Sequence, residues 1–358
     1  MLFYYIIFCL IVILYLLGEF NRRWCLALLI ISAIMLAYIA AFRGEGVDRD
    51  YIGYIELYNA TMPISYYLSN PVEFINKDPA FVIISSVIKY SLNDKVIYLF
   101  VIFAVLGVVL KAVAIKRISS FWLLSILLYY SNYYLLHEMT QIRVGMACGF
   151  LLLSIPSIVD KKPSRYLLYM AAATMFHYSA LIFLPLYFLN PKKLNANLYL
   201  LVLFLPMLFT LTKLSLHPVF TLLGQYNPLT QRYYIYTNIL SQGKLERTSL
   251  LNVLILFNLA LGTLFVLKWH IVCAYNKYAV VIIKIHVYSL ALFYLFYDNG
   301  AFAFRFMEIL NVVQAMLIPF IIYIFKEKRI VAIGVITCAL ALLSFALYHT
   351  QLLMPYYQ

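Results

Sequence analysis

Charge is scarce in this chain. Of 358 residues only 11% are Asp, Glu, Lys or Arg, and acids are scarcer than bases, 14 against 27. A soluble domain of this length needs polar residues to cover its surface, and this sequence does not hold them: it is 65% hydrophobic, with a mean hydropathy of +0.91. Cysteine is sparse too. The five (Cys9, Cys25, Cys148, Cys273 and Cys338) are scattered through apolar runs without CxxC spacing, which leaves no disulfide framework and no thiolate metal site. No HExxH, GxSxG or Walker loop occurs, so the zinc-hydrolase, serine-hydrolase and P-loop classes have no foothold. Asp48-Arg49-Asp50 is the nearest approach to a metal-binding pair, and neither a metal nor a cofactor is expected. The short alternating segments of a membrane β-barrel are missing as well. So are low-complexity tracts, a convincing internal repeat and a soluble domain.

Long apolar runs are what the chain does have. A run of about 20 such residues crosses the hydrocarbon core, and inside it the backbone must be helical, because lipid offers no hydrogen-bond partners. Candidate spans are 2–18, 24–42, 96–115, 120–136, 144–159, 166–190, 198–215, 249–269, 279–297, 305–325 and 330–350. The first, Leu2 to Gly18, lacks a basic n-region and a small-residue cleavage site, and reads as a retained helix. The fold class is therefore an all-α polytopic membrane protein, a single integral membrane domain over 1–358, with about eleven to twelve transmembrane helices.

The net charge of +13 would point to a polyanion on a soluble protein. Its location decides otherwise. Fifteen of the 27 basic residues fall in short connections between apolar runs, among them Arg22, Arg23, Lys111, Lys116, Arg117, Lys161, Lys162, Arg165, Lys192 and Lys193. Only Glu19, Asp160 and Glu327 accompany them. This is the positive-inside pattern, which makes membrane lipid the partner and leaves no role for nucleic acid. With Arg22 and Arg23 inside, the N-terminus lies outside and most basic loops alternate correctly. Two segments resist. Pro79 to Leu92 is short and carries Lys89, so a re-entrant or interfacial helix is expected there. Residues 166–190 have basic clusters at both ends, so a helix broken near His177 is expected, lining a buried or wet cavity. Two outer loops follow, 43–95, rich in acids, and 216–248, rich in Tyr.

In this orientation the remaining polar residues at span ends collect on the outer side: Arg43, Asp48 and Asp50; His137, Glu138 and Arg143; His177; Asp298 and Arg305. Each ionisable group at membrane depth costs roughly 2.5–3.5 kcal/mol, so several at one level need a reason. Arg143 opens an apolar span; it either pairs with Glu138 or snorkels to headgroups, or its planar fork binds a lipid-linked phosphate. Arg305 and Arg43 have similar settings and the same alternatives. His177 is either a satisfied core histidine or, at a helix break, a general base facing a cavity. Asp48 is either a solvated carboxylate, a second candidate base, or a group orienting a sugar hydroxyl. Without a nucleotide site, an outward-facing enzyme needs a substrate that is already activated, and lipid-pyrophosphate sugars meet that need.

Arg43-Gly44-Glu45-Gly46-Val47-Asp48-Arg49-Asp50-Tyr51, followed by Tyr54, resembles the R…GTDxxxY element of the EpsG-like branch of the Wzy polysaccharide polymerases. Asp78-Pro79-Ala80-Phe81, Gln141-Ile142-Arg143-Val144-Gly145-Met146-Ala147 and Phe176-His177-Tyr178-Ser179-Ala180-Leu181-Ile182 resemble three further elements, in the same order, across roughly residues 35 to 325. Val47 stands for the usual Thr, and Val144 for the usual Gln after the arginine. The resemblance implies a metal-independent glycosyltransferase with a fold similar to the GT-C class. It joins undecaprenyl-pyrophosphate-linked repeat units, donor and acceptor, at the periplasmic face of the bacterial inner membrane. Products would be O-antigen, capsule or exopolysaccharide, and a Wzz-type chain-length regulator is an implied partner. The expected assignment places the pyrophosphate on Arg143, Arg305 and Arg43. The base is His177 first and Asp48 second. Sugar contacts come from Asp50, Tyr51, Tyr54, Glu138, Tyr233 and Tyr234. Two other readings stand beside it: an O-antigen ligase-like transferase, and a transporter or flippase for lipid-linked sugars. Crowding of polar residues on one side disfavours transport, which tends to use midplane sites.

Overall fold

The structure is a computed structural model that describes residues 1–212 and 252–356. Tyr233 and Tyr234, and the outer loop 216–248, lie outside the described residues. Among those described, every regular element is helical, apart from one isolated bridge between Asp48 and Leu353. Five helices are long and apolar enough to cross a membrane, and counting each of two bent pairs as one span gives seven. Four shorter apolar helices add to these, namely Pro79–Ser91, Tyr178–Phe188, Ala196–Leu211 and Ala279–Leu295. The chain is a multi-pass membrane protein. Fewer straight spans appear than the apolar runs foreshadow because several runs are broken or short.

The chain divides into two compact units, Met1–Phe188 with Gln314–Gln358, and Leu189–Val313. In the first, α1 (Leu2–Phe20) and α2 (Cys25–Ala41) are followed by short helices α3 (Tyr51–Asn59), α4 (Ile64–Ser69) and α5 (Pro71–Asn76). Then comes α6 (Pro79–Ser91), where the sequence predicts a re-entrant or interfacial helix; at 13 residues it is about 20 Å long, too short to cross. Next are α7 (Ile97–Ile118), α8 (Trp122–Leu128), which runs on as a π-helix from Tyr129 to Thr140, and α9 (Ile142–Val159). The predicted break near His177 is present. Helix α10 (Pro163–Phe176) ends one residue before it, His177 is extended (φ −162°, ψ 124°), and a 3-10 helix runs from Tyr178 to Phe188.

Helix α9 is the axis of this unit, packed against both α7 and α10. Small residues permit that closeness, as is usual where lipid supplies no hydrophobic drive between helices. A Cβ on Gly145 would stand 2.4 Å from the His137 carbonyl oxygen, and one on Gly149 2.9 Å from Cβ of Leu110.

The second unit contains α11 (Ala196–Leu211), α12 (Val253–Leu267), α13 (Trp269–Tyr275), α14 (Ala279–Leu295) and α15 (Gly300–Asn311). Its centre is polar but satisfied. His286 Nδ1 lies 2.6 Å from Oδ1 of Asn311, Asn311 donates to Oδ1 of Asn258 at 2.8 Å, and Ser289 donates to Asn311 at 2.9 Å. Such interhelical bonds are worth ~0.6 kcal/mol each in a membrane and serve as glue. The chain returns to the first unit through α16 (Gln314–Leu317), a 3-10 turn and α17 (Lys328–Ser344).

One reading of the sequence is corrected. Lys111 does not belong to a basic connection. It lies within α7, fully buried, in an ion pair with Glu138 and donating to the Gly145 carbonyl at 2.6 Å. A buried ammonium is tolerated only when paired and hydrogen-bonded, and here it is both.

Candidate active site

The organising residues sit on four elements that share one aromatic core. Tyr54 of α3, Phe81 of α6, Phe100 and Phe103 of α7, and Ile142 and Met146 of α9 form a buried cluster with Phe150 and Phe176 packed against it. Phe176 meets Phe103 edge-on at 5.8 Å and stacks with Phe150 at 5.8 Å. That contact fixes the end of α10, and with it the place of His177.

Arg143 is the second residue of α9. Its guanidinium lies beside the rings of Tyr54 and Phe81, 5.7 and 5.6 Å from their centroids. Its Nη1 donates to Oδ2 of Asp78 at 2.5 Å, and the same oxygen is 3.4 Å from Nδ1 of His177. Asp78 therefore joins two residues that sequence reasoning singled out separately. It adopts a left-handed backbone conformation (φ 51°) as the residue capping α6, ahead of Pro79 at the first helical position. A non-glycine residue there is uncommon and tends to mark a functional constraint. Among the described residues, Nε of Arg143 and the hydroxyl of Ser179, two residues past His177, are buried without a hydrogen-bond partner. The Arg143 side chain is nevertheless 27% exposed.

Arg43 lies against other rings of the same aromatic core. Its Nε donates to Oδ2 of Asp48 and its Nη1 to the Ala40 carbonyl, both at 2.6 Å, while Nη2 is buried without a partner. Its guanidinium covers Phe100 at 4.6 Å and Tyr51 at 5.7 Å, and those two rings stack at 4.6 Å. The Asp48 side chain is fully buried; its second oxygen accepts from the Asp50 amide at 3.0 Å. Burial pushes the Asp48 carboxyl above its ordinary value, and the Arg43 charge pulls against that. Both guanidinium groups also act on the buried Tyr54 phenol, Arg143 the more strongly.

The C-terminal segment straps this loop down. Met354 N donates to the Val47 carbonyl at 2.8 Å, Tyr4 OH to the Met354 carbonyl at 2.8 Å, and Tyr356 OH to the Ile39 carbonyl at 2.8 Å.

The structure thus gathers Arg143, Asp78 and His177, and sets Arg43, Asp48, Tyr51 and Tyr54 around the same core. Tyr54 is buried and Tyr51 half-buried against Phe100, while Asp50 immediately precedes α3. Glu138, a candidate sugar contact, lies instead inside the π-helix, 1% exposed, bonded to Lys111 and to the Tyr129 hydroxyl. Its carboxylate sits on Gly107, where a Cβ would stand 2.0 Å away. Arg305 belongs to α15 in the second unit and has no ion-pair or hydrogen-bond partner among the described residues. Sequence reasoning missed Asp78 as a site residue. The Asp78-Pro79 pair ahead of an apolar helix is the signal that marks it.

The family model of EpsG matches residues 26–357, from the start of α2 to the C-terminal strap. The chain belongs to the EpsG family. No curated protein and no solved structure matches it significantly. The EpsG match takes in every site residue described above, and membership carries a polysaccharide-polymerase-like function with it. Within this EpsG protein, the Arg143–Asp78–His177 cluster brings a partly exposed guanidinium and an imidazole onto one carboxylate oxygen.

Proposed function

We propose that this EpsG protein is a glycosyltransferase that joins undecaprenyl-pyrophosphate-linked repeat units at the periplasmic face of the bacterial inner membrane. The observation that carries the reading is the double use of Asp78 Oδ2, 2.5 Å from Arg143 and 3.4 Å from His177, beside an Arg143 Nε that has no partner. Asp78 holds Nδ1–H of His177, which leaves Nε2 to accept a proton, the usual division of labour in a carboxylate–imidazole pair. The acceptor sugar hydroxyl attacks the anomeric carbon of the donor glycan. The bond from that carbon to the pyrophosphate oxygen breaks, the hydroxyl proton passes to His177, and the lipid pyrophosphate leaves with its negative charge held by Arg143. Guanidinium takes that role because its fork matches two phosphate oxygens and stays charged. Asp48, with both oxygens committed to Arg43 and the Asp50 amide, serves to fix Arg43 rather than as the base. Products are O-antigen, capsule or exopolysaccharide, and a Wzz-type regulator sets their length.

The test is polymerisation by the purified protein from a lipid-linked repeat unit. Arg143→Lys keeps the charge and loses the fork, so it is expected to lower extension by on the order of 10²-fold or more, with folding intact. Chelation of divalent cations is expected to leave the wild-type rate unchanged. Polysaccharide of wild-type length from Arg143→Lys removes Arg143 from the reaction.

A further inference from the structure

A groove of about 520 Å³ lies between α10 and the 3-10 helix that follows it. Leu167, Met170, Ala171 and Met175 line one side, and Leu181 and Leu184 the other. Pro79 and Tyr178 complete the lining. They follow Asp78 and His177 directly, so the groove reaches to within one residue of the polar cluster.

The two hydroxyls of the lining already have hydrogen-bond partners. The Thr174 hydroxyl donates back to the Met170 carbonyl at 2.8 Å, and the Tyr178 hydroxyl donates to the Ile75 carbonyl. The surface facing the groove is mostly apolar. Methionine adapts its shape to irregular apolar partners, and Met170 and Met175 supply that here. The volume falls in the range of pockets that enclose a small ligand or one segment of a longer one.

We propose that this groove takes the isoprenoid tail of the lipid carrier, in the stretch next to its pyrophosphate. The inference rests on the reading that the pyrophosphate sits at Arg143. The two ends of such a molecule match the two features side by side here: an anionic head for a partly exposed guanidinium, then a single branched hydrocarbon for an apolar groove. A bilayer phospholipid fits less well, because it has two chains on one head. The helix break at His177 has a purpose in this picture. It separates α10 from the 3-10 helix and puts His177 one residue before the lining residue Tyr178, so that tail binding brings the scissile bond toward the base.

The test labels the wild-type protein in phosphatidylcholine vesicles with a polyprenyl monophosphate carrying a photoreactive group near its head. Labelling is expected to concentrate on residues 167–184 and to fall about tenfold in Ala171→Trp, which fills the groove; lost contact with two methylene-sized groups already accounts for that factor. Leu16→Trp, an equal bulk at an exposed position of α1 outside the groove, is expected to label like wild type. In polymerisation assays Ala171→Trp is expected to lose the wild-type preference for long-tailed over short-tailed substrates, again by about tenfold. Labelling spread evenly over the apolar helices, or equal labelling of the groove by a photoreactive phosphatidylglycerol, overturns the proposal and makes the groove a site for bilayer lipid only. The two readings fail separately. Wild-type protein that is labelled in the groove but never extends a glycan defeats the polymerase assignment alone. Active protein labelled elsewhere defeats the groove alone.

Discussion

Nη1 of Arg143 lies 2.5 Å from Oδ2 of Asp78, a residue 65 positions earlier in the chain, and that same oxygen faces His177. One carboxylate thus sets the direction of both the cation and the imidazole. Asp78→Asn keeps the shape and removes the charge. We expect chain extension to fall by about 10²-fold, because the amide no longer holds one tautomer of His177 or anchors the fork. Stability should fall by about 1–3 kcal/mol, since the Asp78 side chain is only 8% exposed although Arg143 is 27% exposed. Extension assays set against thermal unfolding in detergent check this. A variant that unfolds as readily as it loses activity counts against a role in the reaction.

The Lys111–Glu138 pair calls for the opposite outcome. Both side chains are almost completely buried. Lys111→Met leaves an unpaired carboxylate inside the helix bundle and should cost about 3–5 kcal/mol, whereas adding Glu138→Gln should restore most of it. Unfolding midpoints of the two single variants and the double variant measure this. Additive losses in the double variant refute it.

Glycines separate into two kinds by what surrounds them. Gly145→Ala drives a methyl to 2.4 Å from the His137 backbone oxygen, which cannot step aside, and should cost about 3 kcal/mol with loss of well-folded protein. Gly53→Ala in α3 meets nothing within 4 Å and should stabilise by about 0.5–1 kcal/mol. Expression level and unfolding midpoint distinguish the two.

The Arg43–Asp48 pair predicts a pH dependence. Burial raises the Asp48 carboxyl in the folded state, and Arg43 is the chief opposing influence. A carboxyl raised on folding contributes stability that is fully present below its unfolded value and is lost as pH rises through its folded value. Removing the guanidinium in Arg43→Met pushes the folded value further up. The variant should therefore lose more stability, relative to wild type, at about pH 8 than at about pH 5. Unfolding midpoints at the two pH values give the answer, and an equal penalty at both shows that Asp48 does not carry the charge.

Much of this molecule is legible in its sequence. Apolar runs separated by basic loops specify a multi-pass helical protein, because lipid leaves the backbone no other arrangement. Basic clusters on both sides of 166–190 mark a span that cannot cross straight, and the structure breaks it at His177. A 13-residue helix after Asp78 is too short to cross by arithmetic alone. These are properties of length and charge, which a sequence displays directly.

Which charges meet was decided by packing. Sequence proximity favours Arg143 with Glu138, five residues away; the folded chain gives Arg143 to Asp78 and Glu138 to Lys111. Helix α9 is buried over most of its circumference, so its apolar pattern shows no face that would tell which way Arg143 points. The rotation of α9 is set instead by Gly145 and Gly149, whose missing side chains admit the π-helix on one side and α7 on the other. Composition settles that this chain lives in lipid, but only close contact between helices far apart in sequence settles which carboxylate each cation finds.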